Sequence, residues 1–208
     1  IMAQTTGRRN QAARRYGAVL RRGGSPSPVL AVASISPLTA PLILTLRLDA
    51  ASQAHFDALR RQYFPPERNY LAAHLTLFHH LPGSEAPAIS QFLEEWAASL
   101  PPLTLLVTGL RFLGRGVAYD VGNDELLRRH RQLQTAWAAW LTPQDQQRLR
   151  PHVTVQNKVT PEAARTLHAQ LAAEFAPREA QGTGVQLWAY RNGPWDALQE
   201  FTFGAARP

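Results

Sequence analysis

Pro151-His152-Val153-Thr154-Val155 repeats, 78 positions downstream, the form of His74-Leu75-Thr76-Leu77. Each copy alternates a polar residue with an apolar one. Successive side chains of a strand point to opposite faces, so the His and Thr of each copy share one face while Leu or Val points to the other. Each strand thus offers an imidazole beside a hydroxyl above an apolar underside. A single His-x-Thr match with flanking apolar residues has a chance expectation of about 0.1 in a chain with this many His and Thr, and two have a chance under roughly 1%. The pair is the signal.

The surroundings of the two copies are organised alike. Leu42 to Leu46 reads as a strand and Ser52 to Tyr63 as a helix with Phe56, Leu59 and Tyr63 on its apolar face. Ala72 to Phe78 is the first motif strand. Ser84 caps a helix running to Leu100, with Ile89, Leu93, Trp96 and Leu100 as its buried stripe. Leu103 to Phe112 and Val117 to Val121 form a hairpin around Gly114-Arg115-Gly116, and a helix follows from Asp124 to Leu141. Pro151 to Gln156 is the second motif strand. Thr160-Pro161-Glu162 opens a helix to Phe175, and Gly184 to Tyr190 pairs with Leu198 to Phe203 around Asn192-Gly193-Pro194. The strand-helix-hairpin order occurs twice, which predicts an α+β fold of two similar lobes.

Composition sets the outer bounds. The 208 residues are 45% hydrophobic and 18% charged, and include no cysteine. A chain of this size buries a core without disulfides, and the missing thiols exclude Cys nucleophiles, iron–sulfur clusters and thiolate zinc sites. The net charge of +7 is concentrated at the start: residues 1–36 hold six arginines and no acid, whereas the remaining 172 hold 16 basic and 15 acidic side chains. Bulk charge therefore does not equip the body to grip a long phosphate backbone. Residues 1–36 lack apolar periodicity and read as a basic, disordered tail, with 37–208 as a single bilobal domain. No segment reads as transmembrane, because prolines interrupt the only long uncharged stretch.

Histidine beside a hydroxyl suits phosphodiester cleavage. Hydrolysis of a phosphorus–oxygen bond removes a proton from water and delivers one to the leaving oxygen, and an ordinary histidine pKa of about 6.5 lets one copy be neutral while its twin is charged. Threonine hydroxyls can donate to the non-bridging oxygens. The neighbouring residues point less clearly. Phe78 shares the nominal face of His74 and is either a base-stacking or a core aromatic. Arg115 either contacts phosphate or covers its turn. Tyr119, Trp188 and Tyr190 are candidate cleft walls, and Lys158 follows the second motif. His80 reads as a rim residue, His79 as facing away, and His55, His130 and His168 as helix-surface residues.

The sequence resembles the two-histidine (2H) phosphoesterase superfamily, and within it the 2'-5' RNA ligase-like cyclic phosphodiesterases. Ala73-His74-Leu75-Thr76-Leu77-Phe78 and Pro151 to Val155 bear the resemblance, with softer matches at Leu113 to Tyr119, at Leu187 to Tyr190 and at Gly193-Pro194-Trp195. The resemblance spans Pro41 to Phe203. It implies two antiparallel sheets with helices outside and a cleft between the motifs. It also implies hydrolysis of a 2',3'-cyclic phosphate to a 2'-phosphate, with His74 as acid, His152 as base and Thr76 and Thr154 on the phosphate. Phe78, Arg115, Tyr119 and Lys158 stand as further candidate substrate contacts. No cofactor or metal is implied, the partners are RNA ends or cyclic nucleotides, and the expected setting is a cytoplasmic monomer. Close relatives of the bacterial enzymes often place an arginine after the second motif, where this chain has Gln156-Asn157-Lys158. A catalytically idle RNA-binding relative, 2'-5' ligation or phosphodiester cleavage in the same cleft, and a metal hydrolase are the alternatives. The absence of carboxylates near either motif weighs against the last.

Overall fold

The structure is a computed structural model and describes residues 40–204; the basic stretch at residues 1–36 lies outside the described residues. The elements run β1 (Leu42–Leu48), α1 (Ala50–Tyr63), β2 (Leu75–Leu81), α2 (Ala86–Ala98), β3 (Leu103–Phe112), β4 (Val117–Gly122), α3 (Asp124–Ala136), β5 (His152–Gln156), α4 (Pro161–Ala173), β6 (Arg178–Tyr190) and β7 (Trp195–Thr202). Three helices begin at the polar residues the chain places before them: Asp49 accepts from the Ser52 amide at 2.9 Å, Asn123 from Leu126 and Thr160 from Ala163. Ser84 does not cap α2. A short 3-10 turn, Gly83–Glu85, leads into that helix instead, and no side chain caps it.

All strand pairs are antiparallel, in the order β2-β1-β6-β3-β4-β5 with β7 also on β6. The long strand β6 links the two ends of this order. Its first residues, Arg178 to Gly182, pair with β3, and Gly184 to Tyr190 pair with β7, while β1 runs along its other edge. β6 therefore begins six residues before the apolar run at Gly184 suggested, and β7 begins at Trp195. The early residues of β6 alternate with polar side chains and pack against β3, a long-range pairing that local hydrophobicity does not signal.

α2 and α3 meet through Phe92 and Trp137, and α2 and α3 both reach Phe203, through Trp96 and Arg129. α1 packs on β5 and α4 on β3 and β4. α3 stops at Ala136, five residues before the expected end, and continues as a 3-10 turn at Ala138–Trp140. One contiguous core, including Leu44, Leu75, Leu105, Val153 and Leu187, runs under strands from both ends of the sheet order. Complete burial of one such leucine contributes about 1.5–3 kcal/mol.

The two motif strands, β2 and β5, are the end strands of this order, and the curvature of the sheet brings them into contact. Two glycine positions permit the junction beside β5. Gly114 has φ +80°, and a Cβ on Gly116 would lie 2.1 Å from the Gln156 carbonyl oxygen.

Candidate active site

The period-two reading holds across each motif. At the first motif Leu75 and Leu77 are buried while His74 and Thr76 are partly open, and at the second Val153 and Val155 are buried while His152 and Thr154 are partly open. His74 immediately precedes β2, and Thr76 stands opposite the buried Thr45 of β1. The two imidazoles are oriented by the same device. His74 Nδ1–H donates to the Ala72 carbonyl at 2.8 Å, and His152 Nδ1–H donates to the Arg150 carbonyl at 2.8 Å. A carbonyl can only accept, so the proton sits on Nδ1 and Nε2 is the nitrogen left for chemistry.

Burial dominates the electrostatics of both rings. It pushes the His74 pKa down to about 4, against the opposing bond to Ala72 and with further lowering by the Arg60, His152 and His79 charges. His152 is also lowered, first by burial, then by the Arg111 guanidinium, with the Arg150 carbonyl and Asp120 opposing. His79 acts on both rings.

Residues that the sequence reading passed over build the surroundings. α1 presents Gln53, Asp57 and Arg60 at helical spacing to the segment leading into His74. Gln53 donates to the Ala73 carbonyl at 2.8 Å, Asp57 accepts from the Ala73 amide at 2.7 Å, and Arg60 donates to the Leu71 carbonyl at 2.9 Å. Arg60, only 5% exposed, also donates to the Thr154 carbonyl at 3.0 Å and so ties both motifs to one side chain. The expected apolar stripe of this helix is correspondingly altered: its buried residues are Ser52, Phe56 and Arg60. Arg111 of β3 pairs with Asp120, whose strand position faces His152, and its guanidinium lies 3.4 Å from His152 Nδ1. The i, i+4, i+7 spacing was the available signal for the α1 set; nothing local announced Arg111.

Thr76 and His152 line one cavity, of about 470 Å³, together with His79, Arg111 and Arg148. His74 lines a second, of about 540 Å³, with Thr45 and Trp188. The Trp188 indole N–H donates to Thr45 Oγ1 at 2.9 Å, and the Trp195 ring lies 4.7 Å from the His74 ring. Trp188 therefore lines the cavity of His74, and Trp195 packs against the His74 ring outside that lining.

Several other expectations are corrected. Phe78 is fully buried, stacked at 4.6 Å on His130 and edge-on to Trp137, and cannot meet a base. The cause is a register shift on β2 between the Thr45↔Thr76 and Leu44↔Phe78 pairs, which puts Leu77 and Phe78 both in the core. The same shift reverses the parity of His79, which lines the cavity instead of facing away. His130 is not on the surface: it is 3% exposed and its Nε2–H donates to the Leu77 carbonyl at 3.0 Å. Tyr119 is buried edge-on against Phe56, on the face covered by α1 and α4, and so is core and not cleft wall. Arg115 donates to the Val159 carbonyl at 3.0 Å and holds its own turn against the loop after β5. Lys158 is exposed in that loop at φ +65° and does not line the cavity of Thr76 and His152. His55 and His168 are partly buried beside Phe56 and Phe112. Among the described residues no three His, Asp or Glu side chains converge as a metal site would require, and no helix is long and apolar enough to cross a membrane.

Similar folds occur among solved structures. The chain aligns with TT0787 of Thermus thermophilus at 16% identity and a TM-score of 0.57, covering 80% of this chain and 100% of that one. A protein described as a phosphoesterase aligns at 18% identity and a TM-score of 0.54, covering 80% and 99%. E. coli LigT complexed with 3'-AMP aligns at 19% identity and a TM-score of 0.52, covering 79% and 98%. No curated protein matches the sequence. The family model of the 2'-5' RNA ligase superfamily matches residues 48–194, a span that includes both motifs, the Arg60 tether and the shared strand β6, and on that match the chain belongs to this superfamily of 2H phosphoesterases.

Proposed function

We propose that this protein is a metal-independent cyclic phosphodiesterase that opens a 2',3'-cyclic phosphate, at an RNA end or on a nucleotide, to a 2'-phosphate, acting as a cytoplasmic monomer. The observation that carries the reading is the matched pair of Nδ1–H bonds of 2.8 Å, which leaves an Nε2 on each motif for proton transfer. His152 Nε2 takes a proton from water as the water oxygen bonds to phosphorus. The bond from phosphorus to the 3'-oxygen breaks, and His74 Nε2–H gives that oxygen its proton. The product is a 2'-phosphate with a free 3'-hydroxyl, and the two rings regain their starting protonation through solvent. Thr76 and Thr154 donate to the non-bridging oxygens as charge builds there.

The low His74 pKa fits a donor that is charged only when substrate is present. In the empty cleft at neutral pH the ring is neutral. An anionic phosphate beside it favours the protonated form, so binding itself arms the acid.

The test is turnover of adenosine 2',3'-cyclic phosphate and of an RNA ending in 2',3'-cyclic phosphate, with and without chelator, with products separated by chromatography. Accumulation of 2'-phosphate unaffected by chelator is the expected result. Loss of turnover with chelator would mean that a metal-bound hydroxide attacks. Joining of 2'-phosphate-forming ends to a 5'-hydroxyl, without hydrolysis, would assign the cleft to ligation, which the family is equally able to accommodate because one transition state is approached from either side.

A further inference from the structure

The cavity lined by Thr76 and His152 is also lined by His79, Arg148 and Arg150, side chains that the hydrolytic steps do not use. Among the described residues neither arginine has a carboxylate partner, although Arg47, Arg111, Arg128, Arg129, Arg165 and Arg191 each do. The carboxylate in the cavity wall, Asp145, is already committed. It is 3% exposed and accepts from the His79 and His80 amides at 2.8 and 2.9 Å, and His79 Nδ1 lies 3.3 Å from its Oδ1. A buried carboxylate so satisfied offers no acceptor to a ligand. It instead orients His79, whose Nδ1–H it receives, and leaves Nε2 for the cavity. The space is therefore lined by donors and unpaired positive charge, and at about 470 Å³ it is within the range of about 300–1,000 Å³ typical of small-molecule sites and larger than one phosphate needs.

We infer that this set of lining side chains is a receptor for a second phosphate, bound by His79 and Arg148, so that the preferred substrate carries a phosphate beyond the scissile one. The inference rests on the hydrolytic reading above and names the substrate class for that same site. Arginine's planar fork matches a phosphate's oxygens, and its pairing there gains from having no competing carboxylate. The second phosphate has two sources: the 5'-phosphate of the same nucleotide, or the next phosphodiester of an RNA chain.

Three substrates separate them: adenosine 2',3'-cyclic phosphate, its 5'-phosphorylated form, and a diadenosine ending in 2',3'-cyclic phosphate. The expected result is a kcat/KM at least about tenfold higher for one of the two-phosphate substrates, chiefly through KM, and the substrate preferred identifies the source. Arg148→Ala should bring that ratio near one and Arg148→Glu should invert it, while His79→Ala should reduce it. Arg148 is exposed, so its replacement tests recognition without disturbing the core. Equal kcat/KM for all three substrates, or a preference that survives Arg148→Glu, would overturn the inference. Calorimetry keeps it separate from the catalytic reading. Adenosine 2',5'-bisphosphate should bind more tightly than adenosine 2'-monophosphate, and Arg148→Glu should abolish the difference. If that preference holds but no cyclic phosphate is opened, the hydrolytic reading fails and the receptor stands; if the two nucleotides bind alike, the receptor fails even where hydrolysis is robust.

Discussion

On the proposed mechanism the histidines and threonines of the two motifs differ in what they supply, and their loss should differ accordingly. Thr76→Val or Thr154→Val keeps the branched shape and deletes one donor to phosphate. Each should lower kcat about 10²- to 10³-fold, about 2–4 kcal/mol of transition-state stabilisation, in steady-state assays on the cyclic nucleotide. His74→Ala and His152→Ala should each cost at least as much, and the double variant less than their sum, because the two rings serve one sequence of proton transfers. Full additivity would contradict a shared role. The pH profile follows from the same residues. On the proposed mechanism the active free enzyme needs His74 charged and His152 neutral, and both rings are held below the ordinary value, His74 at about 4. The kcat/KM profile should therefore be a bell with its maximum below about pH 6.5, and the kcat profile should lie at higher pH because the bound anion raises both rings. A kcat/KM maximum above pH 7.5 would contradict this assignment.

At the scale of elements, α1 does more than cover the sheet. Its Gln53–Asp57–Arg60 face tethers the approach to His74, and Arg60 alone reaches Thr154 on β5. Arg60→Met would leave the carbonyls of Leu71 and Thr154 without this donor, at about 1–3 kcal/mol for each buried group. Urea denaturation should read a loss of about 2–4 kcal/mol. The variant also removes a charge that lowers the His74 pKa, so the maximum of its kcat/KM profile should move to higher pH. Arg60→Lys keeps the charge and should leave the maximum in place while recovering only part of the stability, since an ammonium lacks the fork that reaches separate acceptors. An unmoved maximum in Arg60→Met would show that the helix acts on the fold alone. A second junction should be just as exacting. Gly116→Ala places a methyl 2.1 Å from the Gln156 oxygen, which no small rearrangement relieves. Separation of β4 from β5 should cost about 3 kcal/mol in the same denaturation experiment.

For the whole molecule, the histidines bring acid sensitivity. His55, His74, His130 and His152 all have pKa values lowered in the fold, burial being the leading cause in each. The unfolded chain therefore binds more protons than the folded one below about pH 6.5, and stability falls with pH from there. For His74, the shift from 6.5 to about 4 corresponds to up to about 3 kcal/mol, lost progressively across that interval. Calorimetric Tm should decline steadily from pH 7 to pH 4.5, and His130→Asn should flatten part of the decline. A Tm constant across that range would contradict the burial of these rings.

The amino-acid sequence by itself determined the element order, the strand placement of both motifs and the facing of His with Thr, because period-two alternation over four residues is a local property that any strand must express. It also determined the family, since two complete motifs at corresponding places in a repeated order are improbable otherwise. Its reach ended where side chains meet partners distant in the chain. The bulge that buries Phe78 and turns His79 into the cavity depends on the register of β2 against β1. Arg60 gains its role only when β5, 94 residues away, is laid beside α1. His130 reads as a polar helix residue until α3 docks on the Leu77 carbonyl. Burial and pairing across long sequence separations are set by how the sheet curves and which edges meet. Only the tertiary structure decided them, because no local pattern encodes the partner of a side chain that reaches a strand distant in the chain.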